Sequence, residues 1–170
     1  MMVFVDRNSE LVKRVEREVG ISAYCADYFT YSLSILRPVL MTASNPLWTF
    51  GGGIDAGFSE HFPFYVGHKQ EKQGENERMG NICFCITVGI DLVATKGLVR
   101  DALSFALDQT TDDETLLVHG AGTGIGGLSH DDFISVLKTV LKAQRDEINT
   151  KPIQMIEDSL GDVGFEADYD

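Results

Sequence analysis

Short apolar runs alternate with stretches of helical periodicity along most of this chain. Val3-Phe4-Val5, Ile21 to Ala26, Val39 to Ala43, Ile82 to Val88 and Thr115 to His119 each have the length and character of a strand. Between them, Leu11, Val12, Val15 and Val19 share one helical face behind Asn8 or Ser9, either of which can cap. Leu98, Val99, Ala102, Leu103 and Ala106 do the same within Lys96 to Gln109. The clearest periodicity is Phe133, Val136, Leu137, Val140 and Leu141, behind a capping-box-like start at Ser129-His130-Asp131-Asp132. Strands alternating with helices imply an α/β fold with a largely parallel sheet covered on both faces. Ligands of such folds sit at the carboxyl ends of the strands.

The remaining segments carry weaker signals. A short helix is expected from Ile54 to His61, and the polar stretch Lys69 to Gly80 reads as an exposed loop or hairpin end. Ile153 to Ile156 is a candidate last strand, and residues 159–170 form an acidic, glycine-containing tail expected to be disordered. The chain of 170 residues suits one domain, here 1–158, with 44% hydrophobic residues to fill a core. No apolar run approaches the roughly 20 residues of a membrane span, and Asp6, Arg7 and Glu10 break up any N-terminal signal segment, so the expected location is the cytoplasm.

A formal charge of −12 repels nucleic-acid backbones and acidic membranes, so neither is an expected partner. It leaves room for a small anionic ligand, because backbone N–H groups and helix N-termini bind phosphate without lysine. Cys83 and Cys85 alternate within an apolar run and so share a strand face as buried free thiols; no second Cys/His pair has metal-ligand spacing.

Two glycine-rich segments each stand between a strand and a helix: Gly51-Gly52-Gly53 before Ile54, and Gly120-Ala121-Gly122-Thr123-Gly124-Ile125-Gly126-Gly127 before Ser129. Glycine lets the backbone approach a ligand closely, and successive N–H groups there make a concave anion site. If both lie at one edge of the sheet they can flank a single diphosphate; if not, they are unrelated tight turns. Gly122 to Gly127 also satisfies a literal G-x-G-x-x-G, but late in the chain, with Glu147 at the right distance only in a polar helix end. Asp55 is unhelpful to phosphate binding as a charge. It fits either a group that orients water or an acidic residue in a first helical turn. Asn45, ten positions earlier, can bond a sugar hydroxyl or shape the turn before Pro46.

Ala43-Ser44-Asn45, Gly51-Gly52-Gly53-Ile54-Asp55 and Gly122-Thr123-Gly124-Ile125-Gly126-Gly127-Leu128 together resemble the macro domain pattern. There an Ala-Ala-Asn-like strand end runs into Gly-Gly-Gly-Val-Asp, and a later strand into a Gly/Ser-Thr-Gly loop. The likeness covers about Val3 to Ala143, and Val5-Asp6 with Asn8 resembles a bacterial and phage branch. It implies a three-layer α/β/α sandwich with a mixed, mostly parallel central sheet, holding ADP-ribose or an ADP-ribosylated protein. By the same resemblance Asp27, with Tyr28, takes the adenine amino group. Asn45 holds the distal ribose, and Ser44 beside it is a further ligand-binding residue. Gly52, Gly53 and Ile54 line the diphosphate from one side, and Gly122, Thr123, Gly124, Ile125 and Gly126 close over it.

Asp55 falls on the aspartate that hydrolytic members use. The implied activity is hydrolysis of a mono-ADP-ribosyl ester, O-acetyl-ADP-ribose or ADP-ribose 1″-phosphate, with Asp55 and Asn45 as catalytic residues and no cofactor or metal. The chain departs from hydrolytic members at Ser59, where they often have histidine (His61 is close), and at Gly126, where they tend to have an aromatic residue; Trp48 or Phe50 is a replacement wall or an ordinary core residue. The alternatives are a non-catalytic ADP-ribose reader and an NAD-binding protein using the Gly122 loop.

Overall fold

The computed structural model describes the backbone of residues 1–166 and the side chains of residues 1–149. Its strands are β1 (Met2–Asp6), β2 (Ala23–Cys25), β3 (Pro38–Met41), β4 (Glu77–Met79), β5 (Ile82–Phe84) and β6 (Thr115–Val118). Its helices are α1 (Ser9–Arg14), α2 (Tyr28–Ser32), α3 (Gly53–His61), α4 (Pro63–Lys72), α5 (Lys96–Asp108) and α6 (His130–Glu166), and a π-helical turn over Val15–Val19 continues α1. Met1–Leu137 forms one compact unit, which holds the sheet; Lys138–Asp170 forms a second.

One mixed, mostly parallel sheet has the order β2-β1-β6-β3-β5-β4. Only β4 runs antiparallel, against β5. Leu40 stands beside Leu117 on one side and Ile82 on the other, which fixes the register of the central strands. Side chains alternate between two buried faces, as the near-continuous apolar runs require. Val3, Val5, Leu40, Ile82, Phe84 and Leu117 cluster with Tyr28, Phe29, Phe58 and Val66 from α2, α3 and α4. On the other face, the Phe4 ring lies 5.9 Å from Phe133 of α6, and Cys85 Sγ lies 3.8 Å from the Ala102 carbonyl of α5. Helices therefore cover both faces, consistent with a three-layer arrangement. Each fully buried Phe, Leu or Ile contributes about 1.5–3 kcal/mol. Cys83 and Cys85 are buried free thiols. Among the described residues no helix is long and apolar enough to cross a membrane.

Caps define where helices begin. Asn8 accepts from the Leu11 N–H at 3.0 Å and so caps α1 in preference to Ser9. Asp27 caps α2 through Thr30, Thr95 caps α5 through Leu98, and Ser129 accepts from the Asp132 N–H at 3.1 Å at the start of α6.

Three expectations are corrected, at least in part. Of the two readings of Lys69 to Gly80, the hairpin end holds, since β4 pairs antiparallel with β5, but the segment's first residues close helix α4 instead of forming a loop. Pro63 presets the first turn of α4, while Val66 and Lys69, three apart, face inward. Lys69 is 1% exposed because its ammonium donates to the Gln73 and Glu75 carbonyls at 2.9 and 2.7 Å and to Glu77 Oε1 at 3.1 Å. It also sits 4.4 Å from the Trp48 ring centre. The second correction is Ile153 to Ile156, which belongs to α6 and not to a strand. Its three apolar residues, Ile153, Met155 and Ile156, are too few to carry a period that separates strand from helix, and the helix formers Gln154, Met155 and Glu157 decide. The acidic tail from Ser159 is helical as far as Glu166, and residues 167–170 lie outside the described residues.

A two-pronged ion pair ties β4 to the residue before β6. Arg78 donates to both Glu114 carboxylate oxygens, at 2.8 and 2.6 Å. The Arg78 guanidinium, and then the Thr111 amide, hold the Glu114 carboxyl down at about 2. A depressed carboxyl stabilises the fold above its ordinary titration range, and that stability is lost as pH falls from about 5 toward 2. Partial exposure keeps the effect near ~1 kcal/mol. Glu114→Gln is expected to lower Tm at pH 7 by about 2–4 °C and to flatten the loss of Tm below about pH 5, read by thermal melts across pH.

Candidate functional site

Parallel pairing puts the carboxyl ends of β1, β2, β3, β5 and β6 at one edge of the sheet. The loops that leave these ends surround a cleft of about 930 Å³, lined by residues from every one of them. Both glycine segments are in its wall, and they meet: a Cβ placed on Gly52 would stand 3.2 Å from the Ile125 side chain. Had the two turns lain at opposite edges of the sheet, no shared site could exist.

The first segment enters α3 with Gly53 at φ +58°, a left-handed conformation that suits glycine. Trp48 and Phe50 are also left-handed, at φ 55° and 50°, so the segment before the glycines is held under backbone strain. The second segment turns at Gly122 (φ +80°) and Gly127 (φ +70°), and is pinned by Leu128 N–H to the Gly122 carbonyl (2.9 Å) and Ala94 N–H to the Gly126 carbonyl (2.9 Å). The Thr123 hydroxyl turns back to the Gly120 carbonyl at 2.6 Å. Among the described residues, the amides of Gly52, Gly53 and Ile54, and those of Gly124, Ile125 and Gly126, donate to no backbone carbonyl outside regular elements. Free amides on two facing turns, one of them a helix N-terminus, make the anion-binding surface expected of such loops.

Asp55, in the first turn of α3, is 5% exposed and lines the cleft. Its Oδ1 accepts from the Ala43 N–H at 3.0 Å, which clips the start of α3 to the end of β3. Burial pushes its carboxyl up to about 6, against the opposing pull of the Ser44 hydroxyl and the Ala43 amide. Ser44 is buried, its hydroxyl donating to Thr42 Oγ1 at 2.9 Å; it supports the site from behind and is not in the cleft wall. Asn45 lines the cleft but is also a turn residue: Oδ1 accepts from Leu47 N–H at 3.0 Å and Nδ2 donates to Thr49 Oγ1 at 2.8 Å. One amide hydrogen and one lone pair remain for a ligand.

Also in the cleft wall, Asp27 caps α2 and pairs with Arg7, and Thr30 and then Arg7 hold its carboxyl below the ordinary range. Tyr28 is buried; its hydroxyl donates to the Leu117 carbonyl at 2.5 Å and accepts from the Met41 N–H at 2.9 Å. It bridges β6 and β3 where their ladder ends, so its ring, and not its oxygen, is what it offers the cleft. His61 lines the cleft and stacks on Phe29, centroids 4.6 Å apart. Of the two candidate aromatic walls, Phe50 reaches the cleft, and Trp48 is a core residue with its Nε1–H bound to the Gly74 carbonyl at 3.0 Å.

Several cleft residues are not picked out as site residues by the sequence. Asp6, at the end of β1, accepts from the Asn8 N–H at 2.8 Å and the Gly120 N–H at 2.9 Å, and so anchors the second glycine segment. His119 is buried beside it. Its Nε2 faces the Met41 carbonyl at 3.0 Å, so that nitrogen carries the proton. Burial pushes its pKa down, keeping the ring neutral, while the Met41 carbonyl and Asp6 act in the opposite direction. Asp6 sits one residue past a strand expected to end at Val5, and pairing in space, not spacing in sequence, gives it a role. Among the described residues no cluster of His, Cys, Asp and Glu is arranged to hold a metal.

These features define a mixed α/β protein with one shared cleft at the carboxyl edge of a mostly parallel sheet. No family model matches the chain, and no curated protein matches it.

Proposed function

We propose that the chain is a macro domain, of three-layer α/β/α type, that binds ADP-ribose and hydrolyses an ADP-ribose derivative at Asp55. The observation that carries this reading is the meeting of Gly52 and Ile125, which lets the two sets of free amides flank one diphosphate. The cleft holds four carboxylates, Asp6, Asp27, Asp55 and Glu60, and one arginine, Arg7, already paired with Asp27. The favourable potential for phosphate must therefore come from oriented amides and the N-terminus of α3. By the family resemblance, Asp27 would take the adenine and Asp55 and Asn45 the distal sugar. Asp55, buried and poised near neutral pH, suits a residue that positions or activates water near the anomeric carbon.

A non-catalytic reader uses the same cleft without turnover. It gains support from Gly126, which leaves no aromatic wall in the second segment, and from His61, which stacks on Phe29 instead of standing four residues after Asp55. The NAD-binding alternative loses ground because Glu147 lies within α6 and no strand follows β6 among the described residues.

Calorimetric titration with ADP-ribose and with NAD tests the reading. Saturable binding of ADP-ribose, tighter than NAD, is the expected result; a preference for NAD defeats it. Incubation with an ADP-ribosylated carboxylate then separates enzyme from reader by release of free ADP-ribose.

A further inference from the structure

We propose that the Thr87 hydroxyl is a ligand-contacting group and forms a subsite of the cleft that takes one uncharged sugar oxygen. Thr87 follows β5, is fully buried, and lines the cleft. Its Oγ1 has no hydrogen-bond partner among the described residues. Its backbone is satisfied, the N–H donating to the Ser44 carbonyl at 2.9 Å. Neighbouring hydroxyls show that this part of the fold pairs such groups where it can: Thr42 Oγ1 accepts from the Cys85 N–H and from Ser44 Oγ, both at 2.9 Å. An unpaired buried hydroxyl costs stability, and valine has nearly the same shape without that cost. Thr87 belongs to the cleft wall but its hydroxyl is covered, so a partner would reach it from the cleft side by displacing the neighbours that cover it.

The surroundings limit what that partner is. Val88, Leu92 and Gly126 line the cleft with Thr87, and the Asp55 carboxylate shares it. A phosphate monoester placed there would lose its hydration for a single donor and face a carboxylate, an unfavourable exchange. A hydroxyl or carbonyl oxygen asks for only one partner, which Thr87 supplies. The inference rests on the ADP-ribose reading for the identity of the sugar, but the unsatisfied hydroxyl is independent of it.

The test uses the full chain with Thr87→Val and Thr87→Ser, melted without ligand and titrated with ADP-ribose. Thr87→Val is expected to melt about 2–4 °C higher than the parent and to bind about two- to tenfold more weakly, while Thr87→Ser keeps the parent affinity. A structural hydroxyl would produce the opposite melting shift and no change in affinity. Parental affinity in Thr87→Val, or a lower melting temperature, overturns the proposal. If the parent chain takes up no ADP-ribose, the functional reading fails by itself; a higher melting temperature of Thr87→Val then keeps the subsite with a different occupant, and a lower one removes it.

Discussion

Asp55→Asn is expected to leave ADP-ribose binding in place, cut hydrolysis by about 10²–10⁴-fold, and raise the melting temperature at pH 8. The substitution keeps the side-chain oxygen that accepts from the Ala43 N–H, so the clip between β3 and α3 survives. What it removes is a charge from a site where burial pushes the carboxyl up to about 6. An acid whose pKa is raised on folding favours the fold while protonated, and that advantage is lost as pH rises through about 6. Above that pH the parent chain carries a buried anion at a cost on the order of 2 kcal/mol. The variant should therefore melt about 4–8 °C higher at pH 8, with the difference shrinking toward pH 4. The same charge opposes a diphosphate, so parental affinity should weaken as pH rises through about 6, and the variant's should not. Melts and titrations at pH 5 and pH 8 check both. Equal turnover in the variant removes Asp55 from the chemistry, while an unchanged Tm at pH 8 contradicts the burial of its charge.

Gly126→Ala should damage the site severely. The added Cβ would stand 2.7 Å from Ala94 Cβ, 2.8 Å from Val88 Cγ1 and 2.8 Å from the Gly122 carbonyl oxygen. The last of these is backbone, so no rotamer change relieves the contact. The second glycine segment must shift, and with it the amides of Gly124 and Ile125. Overpacking of this kind costs about 1–3 kcal/mol. Loss of aligned donors to a diphosphate should weaken ADP-ribose binding by more than about tenfold. Gly97→Ala, in α5 with only Thr95 Oγ1 near at 3.9 Å, serves as the control and should match or exceed the parent in stability. Melting and calorimetry on both variants decide; a Gly126→Ala chain that binds normally would show that the segment's position is not what holds the ligand. The same crowding explains why no aromatic residue can stand at position 126.

Much of this architecture is legible in the sequence. The strands β2, β5 and β6 fall inside the expected apolar runs and β1 and β3 overlap theirs, while α5 falls inside its periodic segment and α1 and the first turns of α6 coincide with theirs. The short helix α2 was not seen, although Asp27 is its cap; five residues offer too little periodicity. Helix α4 was not seen because its inward cation, Lys69, reads as a surface residue until the carbonyls of Gln73 and Glu75 are placed around it. In the site, Asn45, Asp55 and the glycines Gly52, Gly53, Gly122, Gly124 and Gly126 stand out by residue type and spacing, Asp27 only by the family resemblance, and all of these line the cleft. Asp6, Thr87 and His119 do not stand out, because nothing local distinguishes them from strand-end residues.

The sequence alone determined the α/β class, the mostly parallel pairing and the presence of two glycine turns, because each follows from short-range periodicity and backbone freedom. Only the tertiary structure decided that Gly52 and Ile125 touch, that Asp55 is buried and Asp27 paired with Arg7, and that Thr87 lacks a partner. Those depend on strand order and on which side chains share a low-dielectric space, and contacts between residues some seventy positions apart leave no mark on local pattern.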